Sequence, residues 1–292
     1  MKKLFLLILT TISLLQITSL QAATTNSPPK KVVSFDLGQI DTLDYLGVPV
    51  IGVPKLHTIS YLAKFQADKY VNVGSMFEPD FEIVASLKPD LIMLGARTQS
   101  KIKMMQSIAP TFDSTVWGND YLNQFYLITE KTAALVNQSQ LAAKALEDIK
   151  QQVAMIKANA KKAGKVLFVM TTGGKITVFG PGSRFGWLYN ELGFEAAGNE
   201  NSLSHHGDPV SFEYLRKLNP DVLLVLDRDL AIGKDTGMAK QLLDNNVIKT
   251  LKAYQNNKII MLDGYAWYTV GTGISAMNKT LAQIQKAIAV ES

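Results

Sequence analysis

An internal repeat constrains the fold of this chain more than any other feature of its sequence. Residues 81–97 and 212–228 form the two copies, which are related by a shift of 131 positions (220 − 89). The matched positions are Phe81 with Phe212, Glu82 with Glu213, Leu87 with Leu218, Pro89-Asp90 with Pro220-Asp221, and Arg97 with Arg228. A repeat of this kind predicts two similar structural units built on equivalent elements.

Each copy of the repeat predicts a helix, a Pro-Asp turn, a buried strand and an arginine just past the strand's carboxyl end. In open α/β sheets, ligands bind at this edge. Two similar lobes that face each other would therefore point Arg97 and Arg228 into a shared cleft. An arginine in this place can also cap a surface loop. A matched pair favours an anionic ligand, because guanidinium groups suit multidentate contact with oxyanions.

Strand and helix patterns alternate around the first copy of the repeat. Apolar runs at 32–35 and 50–53 predict strands, and the segment 39–46 between them predicts a helix. This alternation indicates a mostly parallel sheet with Rossmann-like order. The fold class is therefore α/β.

A stretch without Gly or Pro separates the two copies. It runs over residues 121–163, carries apolar residues at helical spacing and is followed by Gly164. This pattern predicts one long helix between two α/β lobes. The expected organisation is an N-terminal lobe at 32–120, a connecting helix at 121–164 and a C-terminal lobe at 165–292.

The first residues predict export. Lys2-Lys3 precede an apolar stretch, and Gln21-Ala22-Ala23 offers a small-residue cleavage site, which is typical of a secretory signal peptide at 1–22 with a flexible lead-in at 23–31. The chain has no cysteine, so neither a disulfide nor the acylated cysteine of a lipoprotein is expected. We expect a periplasmic protein.

Charge does not indicate a nucleic-acid partner. The formal net charge of +5 includes Lys2 and Lys3, so the mature chain carries +3 (5 − 2). The basic residues are scattered, and no stripe of basic and aromatic side chains is present in the sequence. Binding to nucleic acid is therefore not expected.

Two α/β lobes joined by one long helix resemble the class III periplasmic substrate-binding proteins, which serve ABC importers of iron-siderophore complexes and cobalamin. The segments 74–82 and 87–92 resemble the N-lobe signature of this superfamily, and the resemblance covers essentially the whole mature chain. It implies the class III fold, ligand capture in the cleft between the lobes, and delivery to the permease subunits of an ABC importer at the inner membrane. It also implies that the chain is not an enzyme.

Four short segments resemble the subgroup that binds ferric catecholate siderophores. They are Gly182-Ser183-Arg184-Phe185-Gly186, His206-Gly207, Leu226-Asp227-Arg228 and Trp267-Tyr268. The subgroup uses three arginines, a histidine and a tyrosine, and the matching positions are Arg97, Arg184, Arg228, His206 and Tyr268.

The resemblance implies that the arginines hold the anionic complex and that His206 and Tyr268 bind the siderophore-bound Fe(III), with no intrinsic cofactor. His206 is preferred to His205 because it precedes Gly207, as in the subgroup, and the choice between them stays open. Without the resemblance, the Trp267-Tyr268 pair would be interpreted as packing.

Glu82 and Glu213 occupy matched positions on the two predicted helices of the repeat. In the superfamily, glutamates at these places pair with arginines of the permease, one for each permease half. The alternative is that both are ordinary solvated helical residues. Their match across the repeat favours docking to the permease.

Other functions fit the residues less well. Gly180-Pro181-Gly182-Ser183 lacks the Gly-x-Ser-x-Gly spacing of a hydrolase, and no Asp/His cluster accompanies His205-His206. The alternative within transport is a haem, cobalamin or metal-ion binding protein on the same fold. A bare metal ion would need several histidine or carboxylate ligands, whereas the predicted cleft contains arginines. We expect a monomer.

Overall fold

The computed structural model describes residues 27–55, 62–198, 204–234 and 238–289. The expected signal peptide at 1–22 lies outside these residues, as does the start of the lead-in. Within the described ranges, no helix has both the length and the apolar character needed to cross a membrane.

The first lobe is built on a five-stranded parallel sheet with the order β3-β2-β1-β4-β5. Its strands are β1 (Val32–Ser34), β2 (Val50–Val53), β3 (Val71–Asn72), β4 (Leu91–Leu94) and β5 (Thr111–Asp113). Its helices are α1 (Leu37–Tyr45), α2 (Phe81–Leu87) and α3 (Ile102–Gln106), with short 3-10 turns at Ala63–Gln66 and Gln99–Lys101. The strand order reverses between β1 and β4, so the turns after these two strands form the crevice where α/β sheets bind ligands.

The connection between the lobes differs from the predicted single helix. It consists of α4 (Tyr121–Leu135) and α5 (Ser139–Asn159), followed by a 3-10 turn at Ala160–Ala163. Asn137 adopts a left-handed conformation with φ 57°. The backbone N–H of Asn137 donates to Ala134 and that of Gln138 to Ala133, which is the Schellman arrangement that ends a helix. Asparagine tolerates this conformation, so a helix can stop here without Gly or Pro.

The second lobe is built on a mixed sheet with the order β11-β10-β6-β7-β9, and β8 also pairs with β6. Its strands are β6 (Lys165–Thr172), β7 (Lys175–Phe179), β8 (Glu195–Ala196), β9 (Asp208–Val210), β10 (Val222–Asp227) and β11 (Ile259–Met261). β7 is antiparallel to both β6 and β9, whereas β6, β10 and β11 run parallel.

The helices of the second lobe are mostly short, apart from the last. They are α6 (Trp187–Asn190), α7 (Phe212–Leu218), α8 (Arg228–Ala231), α9 (Met238–Leu243), α10 (Asn246–Lys249), α11 (Lys252–Gln255) and α12 (Ile274–Ile288). A π-helical turn at Tyr265–Val270 precedes α12. α12 packs against α1 of the first lobe and against α5, so this helix of the second lobe also contacts the first lobe.

The sequence repeat is a structural repeat. Lys88 caps the end of α2 and Asn219 caps the end of α7, and both residues are left-handed, with φ 49° and 43°. Each following aspartate then binds the backbone at the start of its lobe's first strand. Asp90 accepts the N–H of Lys31 at 2.9 Å, and Asp221 accepts the N–H of Lys165 at 2.8 Å. The Pro-Asp turn therefore fixes the same helix-to-strand connection in both lobes.

The two lobes share one apolar core. The largest cluster of buried side chains includes residues of β1, α1, α4, α5, β6 and α12. A carboxylate from the second lobe also caps the connection, because Glu191 accepts the N–H groups of Tyr121 and Leu122 at 2.7 and 2.9 Å. Negative charge is favourable at a helix N-terminus. Since a shared core resists separation, we expect the lobes to move little relative to each other.

Candidate functional site

A cavity of about 400 Å³ lies between the lobes. The first lobe contributes the turn after β1, the turn after β4 and the segment 114–118, and the second contributes the Arg184 loop and the π-helical turn. Charged and aromatic side chains dominate its lining: Asp36, Phe77, Arg97, Trp117, Tyr121, Arg184, Phe185, Trp187, His205, Arg228, Trp267 and Tyr268. A cavity of this size can hold a small-molecule ligand.

Tyr268 lies among the three arginines that the sequence analysis named as ligand-binding. Arg228 Nε donates to the Tyr268 hydroxyl at 3.0 Å. The guanidinium carbons of Arg184, Arg228 and Arg97 lie 4.6, 5.6 and 5.9 Å from the centre of the Tyr268 ring. The structure therefore brings together four of the five residues that the sequence indicates as ligand-binding.

Arg97 and Arg228 follow equivalent strands but are held differently. Arg97 crosses the cleft and donates from Nη2 to the Tyr268 carbonyl at 3.2 Å and from Nη1 to the Thr269 carbonyl at 3.4 Å. Arg228 begins α8, whose N-terminus is capped by Asp227 through the N–H groups of Asp229 and Leu230. Each guanidinium has five N–H donors, so both arginines keep donors for a ligand.

The position of Tyr268 is set by the π-helical turn that carries it. Asp263 Oδ1 accepts the N–H groups of Tyr265 and Ala266 at 3.0 and 3.1 Å. Gln283 on α12 accepts the N–H of Asp263 at 3.0 Å and the indole N–H of Trp267 at 2.9 Å. These bonds fix the start of the turn and the indole of Trp267. π-helical turns are rare and are often found at functional sites.

The electrostatics of the cavity favour an anion. Burial opposes ionisation of the Tyr268 phenol, but the Arg228 hydrogen bond and the charges of Arg228, Arg184 and Arg97 outweigh it, so the pKa of Tyr268 is lowered. Burial, together with the charge of Arg97, lowers the pKa of Arg184 from its usual value. An anionic oxygen ligand would relieve the mutual repulsion of these arginines.

The Arg184 loop follows the antiparallel strand β7. The backbone N–H of Arg184 donates to the His205 carbonyl at 3.1 Å, which joins this loop to the segment before β9. Gly186 allows the loop to close, because a Cβ there would lie 2.0 Å from the Pro181 carbonyl oxygen. Ligands are expected at the carboxyl ends of parallel strands, and β7 is antiparallel, so this expectation does not apply to the Arg184 loop. Only the resemblance indicated Arg184.

Of the two histidines, His205 lines the cavity, whereas His206 does not appear among the described lining residues. The His205 ring packs at a tilt against Trp117 of the first lobe, with 4.4 Å between centroids. The His206 ring packs against that of His205 at 5.3 Å and is exposed. Burial and the charge of Arg184 lower the pKa of His205, which favours the neutral imidazole that binds metals. The preference for His206 stays a prediction that this placement does not support.

Asp36 is a lining residue that the sequence reasoning did not identify. It follows β1 at the carboxyl edge of the sheet and accepts the N–H of Gly38 at 2.9 Å and the Ser114 hydroxyl at 2.5 Å. Burial raises the pKa of Asp36 even though these bonds and the charge of Arg97 lower it. The signal was available, because Asp36 follows β1 as Arg97 follows the neighbouring strand β4.

A second group of lining residues is aromatic, and of these only Tyr121 was not expected near the site from the sequence. The rings of Trp187 and Trp267 stack at 5.8 Å, and Tyr121 stacks on Trp187 at 5.2 Å. All three side chains line the cavity and are largely enclosed. Burial raises the pKa of Tyr121, which therefore stays protonated. These rings form an apolar part of the cavity wall beside the arginines.

Glu82 and Glu213 lie outside the cavity. Both are exposed in the first turn of their helices, α2 and α7. The caps of these helices are equivalent, since Asp80 accepts the N–H of Ile83 and Ser211 accepts that of Tyr214. The repeat therefore presents two equivalent surface carboxylates, one on each lobe.

The donor set of the cavity does not suit a bare metal ion. No group of three or more His, Cys, Asp or Glu side chains that could hold a metal occurs in the described part of the chain. Three guanidiniums, a phenol and an imidazole suit instead an anionic complex that brings its own metal ligands.

Comparisons with known proteins agree with this geometry. The petrobactin-binding protein YclQ of Bacillus subtilis is 39% identical over 263 residues, which cover 89% of this chain and 83% of that protein. Its crystal structure superposes with a TM-score of 0.85, covering 91% of this chain and 94% of YclQ at 38% identity. The periplasmic catecholate-siderophore binding protein VctP of Vibrio cholerae matches with a TM-score of 0.83 at 33% identity, covering 89% and 94% of the two chains.

A more distant relative is the ferric-anguibactin-binding protein FatB of Vibrio anguillarum, which is 28% identical over 264 residues covering 88% of this chain and 82% of that protein. The family model described as periplasmic binding protein matches residues 32–266. This match includes both sheets, the connecting helices and the cavity residues up to Ala266. The chain is therefore a member of the periplasmic binding protein family.

Proposed function

We propose that this chain captures a ferric catecholate siderophore in the cleft between its lobes and delivers it to an ABC importer. The observation that carries the proposal is the arrangement of Arg97, Arg184 and Arg228 around the Tyr268 phenol. The three arginines come from both lobes, so a ligand that engages all of them is held by both walls of the cleft. The chain acts as a binding protein and not as an enzyme.

The charge of ferric catecholates suits this site. Fe(III) wrapped by three catecholates carries three net negative charges, and their oxygens accept hydrogen bonds from guanidinium groups. Fe(III) wrapped by two catecholates keeps two open coordination positions. Tyr268, whose pKa is lowered, can supply a phenolate oxygen to one of them, and His205 or His206 can supply an imidazole nitrogen to the other.

The relatives support the class of ligand. YclQ, VctP and FatB are described as binding petrobactin, a catecholate siderophore and ferric anguibactin respectively. YclQ and VctP both match about nine-tenths of this chain. This likeness favours a siderophore over haem or cobalamin as the ligand.

The exposed carboxylates of the two lobes support delivery of the siderophore to a permease. Glu82 and Glu213 are exposed, one on each lobe, and can pair with arginines on the two halves of a permease. We propose that the chain is a periplasmic monomer exported by a cleaved signal peptide at 1–22.

Tryptophan fluorescence tests ligand capture directly. The chain has three tryptophans, Trp117, Trp187 and Trp267, and all three line the cavity. Titration with ferric complexes of a tris-catecholate and a bis-catecholate is expected to quench this emission strongly. Haem and cobalamin serve as competing ligands, and a variant with Arg97, Arg184 and Arg228 changed to Gln serves as the control. Saturable quenching by haem or cobalamin alone would overturn the proposal.

A further inference from the structure

Two large aromatic side chains line the cavity while remaining mostly exposed. Phe77 exposes 63% of its surface and Trp117 exposes 59%, and both come from loops of the first lobe. Trp187 and Trp267, in contrast, are buried. Exposed apolar surface at a polar cavity marks a place where a ligand is bound.

Phe77 is presented by a rigid turn. Ser75 Oγ accepts the N–H groups of Phe77 and Glu78 at 3.2 and 2.9 Å, and the N–H of Ser75 donates to the Glu78 carbonyl at 2.9 Å. The turn requires Gly74, because its φ is 96° and a Cβ would lie 2.5 Å from the Glu78 carbonyl oxygen. These bonds therefore fix the backbone from which the exposed phenyl ring projects.

The Phe77 turn is also joined to the arginine site. The Thr98 hydroxyl, which is buried, donates to the Met76 carbonyl at 2.8 Å. Thr98 directly follows Arg97, so this bond holds the backbone beside Arg97 next to the turn that carries Phe77. Arg97 and Phe77 both line the cavity, so a ligand held by Arg97 lies close to the Phe77 turn.

The backbone of Trp117 is fixed by a side chain of α4. Gln124 on α4 accepts the N–H of Trp117 at 3.1 Å and donates to its carbonyl at 2.9 Å. Gln124 also donates to the Asn119 carbonyl at 2.6 Å. The indole packs at a tilt against His205 of the second lobe. Because the backbone on both sides of Trp117 is fixed, its exposure does not result from a loose loop.

We propose that Phe77 and Trp117 form an aromatic rim that binds aryl rings of the ferric chelate and selects such chelates over aliphatic ones. This inference rests on the proposed function. The three arginines recognise negative charge and would accept an anionic aliphatic chelate as readily. Aromatic rings gain additional stabilisation from stacking on other rings, which an aliphatic chelate cannot provide.

The test compares two anionic chelates by isothermal titration calorimetry. One is the ferric complex of a hexadentate tris-catecholamide, and the other is ferric dicitrate, which is aliphatic. Phe77→Ala and Trp117→Ala are each expected to weaken binding of the tris-catecholamide complex about tenfold. The affinity of both variants for ferric dicitrate is expected to stay close to that of the wild type. Tyr254→Ala, which removes an exposed ring outside the cavity, is the matched control.

Conservative variants distinguish the effect of the aromatic ring from the effect of side-chain volume. Phe77→Tyr and Trp117→Phe are expected to bind the tris-catecholamide complex like the wild type, whereas Phe77→Leu is expected to behave like Phe77→Ala. Wild-type affinity in Phe77→Leu, or equal losses for both chelates in the alanine variants, would overturn the aromatic rim. Failure of the wild-type protein to bind the tris-catecholamide complex would instead overturn the proposed function, so the two failures are distinguishable.

Discussion

Asp41 of the first lobe caps the last helix of the chain at Ser275. Its Oδ2 atom accepts the N–H groups of Ser275 and Ala276 at 2.8 and 3.1 Å. Gly273 makes the approach possible, because a Cβ there would lie 2.0 Å from Asp41 Oδ2. The carboxylate is almost fully buried, so this contact joins α1 to α12 behind the cleft and contributes to holding the lobes together.

Replacement of Asp41 is expected to change how stability depends on pH. Burial raises the pKa of Asp41 to about 6 from an ordinary value of 3.8. The folded state therefore binds more protons than the unfolded chain between about pH 4 and 6, and this carboxylate makes the free energy of unfolding decrease as the pH rises through that window. A pKa difference of this size corresponds to about 3 kcal/mol.

Asp41→Asn keeps an acceptor for Ser275 and removes the proton. The wild type is expected to lose free energy of unfolding as the pH rises from about 4 to 7, and the variant is not. The free energy of unfolding of the variant, relative to that of the wild type, is therefore expected to increase by up to about 3 kcal/mol over this range. Urea unfolding at several pH values measures it. Asp148→Asn, which changes an exposed carboxylate on α5, is the control. A difference that does not vary with pH would show that Asp41 does not carry this proton.

Loss of any cavity arginine is expected to weaken binding. Arg97→Gln, Arg184→Gln and Arg228→Gln should each reduce the affinity for a ferric tris-catecholate by about 1 to 3 kcal/mol, the range for hydrogen bonds to charged groups. Fluorescence titration measures the change. Arg216→Gln alters an exposed arginine on α7 and should bind like the wild type. Unchanged affinity in all three cavity variants would contradict the arrangement around Tyr268.

Direct coordination of iron is expected to distinguish two kinds of siderophore. Tyr268→Phe deletes only the phenol oxygen, so it should weaken a tetradentate ferric complex strongly, shift its charge-transfer absorption and leave a hexadentate complex nearly unaffected. Alanine variants of His205 and His206 identify the second donor, and the lining of the cavity by His205 makes it the stronger candidate. Unaltered spectra and affinity for both complexes in all three variants would mean that the arginines hold the ligand alone.

Capture and delivery are expected to be separable. Changing both Glu82 and Glu213 to Ala should leave siderophore affinity unchanged, because both side chains lie outside the cavity. Growth that depends on the siderophore under iron limitation should be lost. Glu130→Ala with Glu147→Ala, two exposed glutamates of the connecting helices, provides the matched control. Normal growth of the first double variant would remove the docking role.

The sequence by itself determined the two-lobed plan of this protein. The Pro-Asp repeat predicts equivalent helix-to-strand connections because local backbone chemistry sets them, and Asp90 and Asp221 make the same bond in both lobes. The same repeat indicated Arg97 and Arg228 as partners across a cleft, since the end of a parallel strand is a position that a pattern of apolar residues reveals.

Only the tertiary structure decided which side chains share the cavity. Phe77 and Trp117 are ordinary loop aromatics in the sequence, and they reach the cleft through bonds to Ser75 and Gln124 that no periodicity encodes. The break at Asn137 escaped prediction because its left-handed conformation is a property of the cap and not of residue type alone. Contacts between distant segments depend on how the lobes pack, and packing is not a local property of the chain.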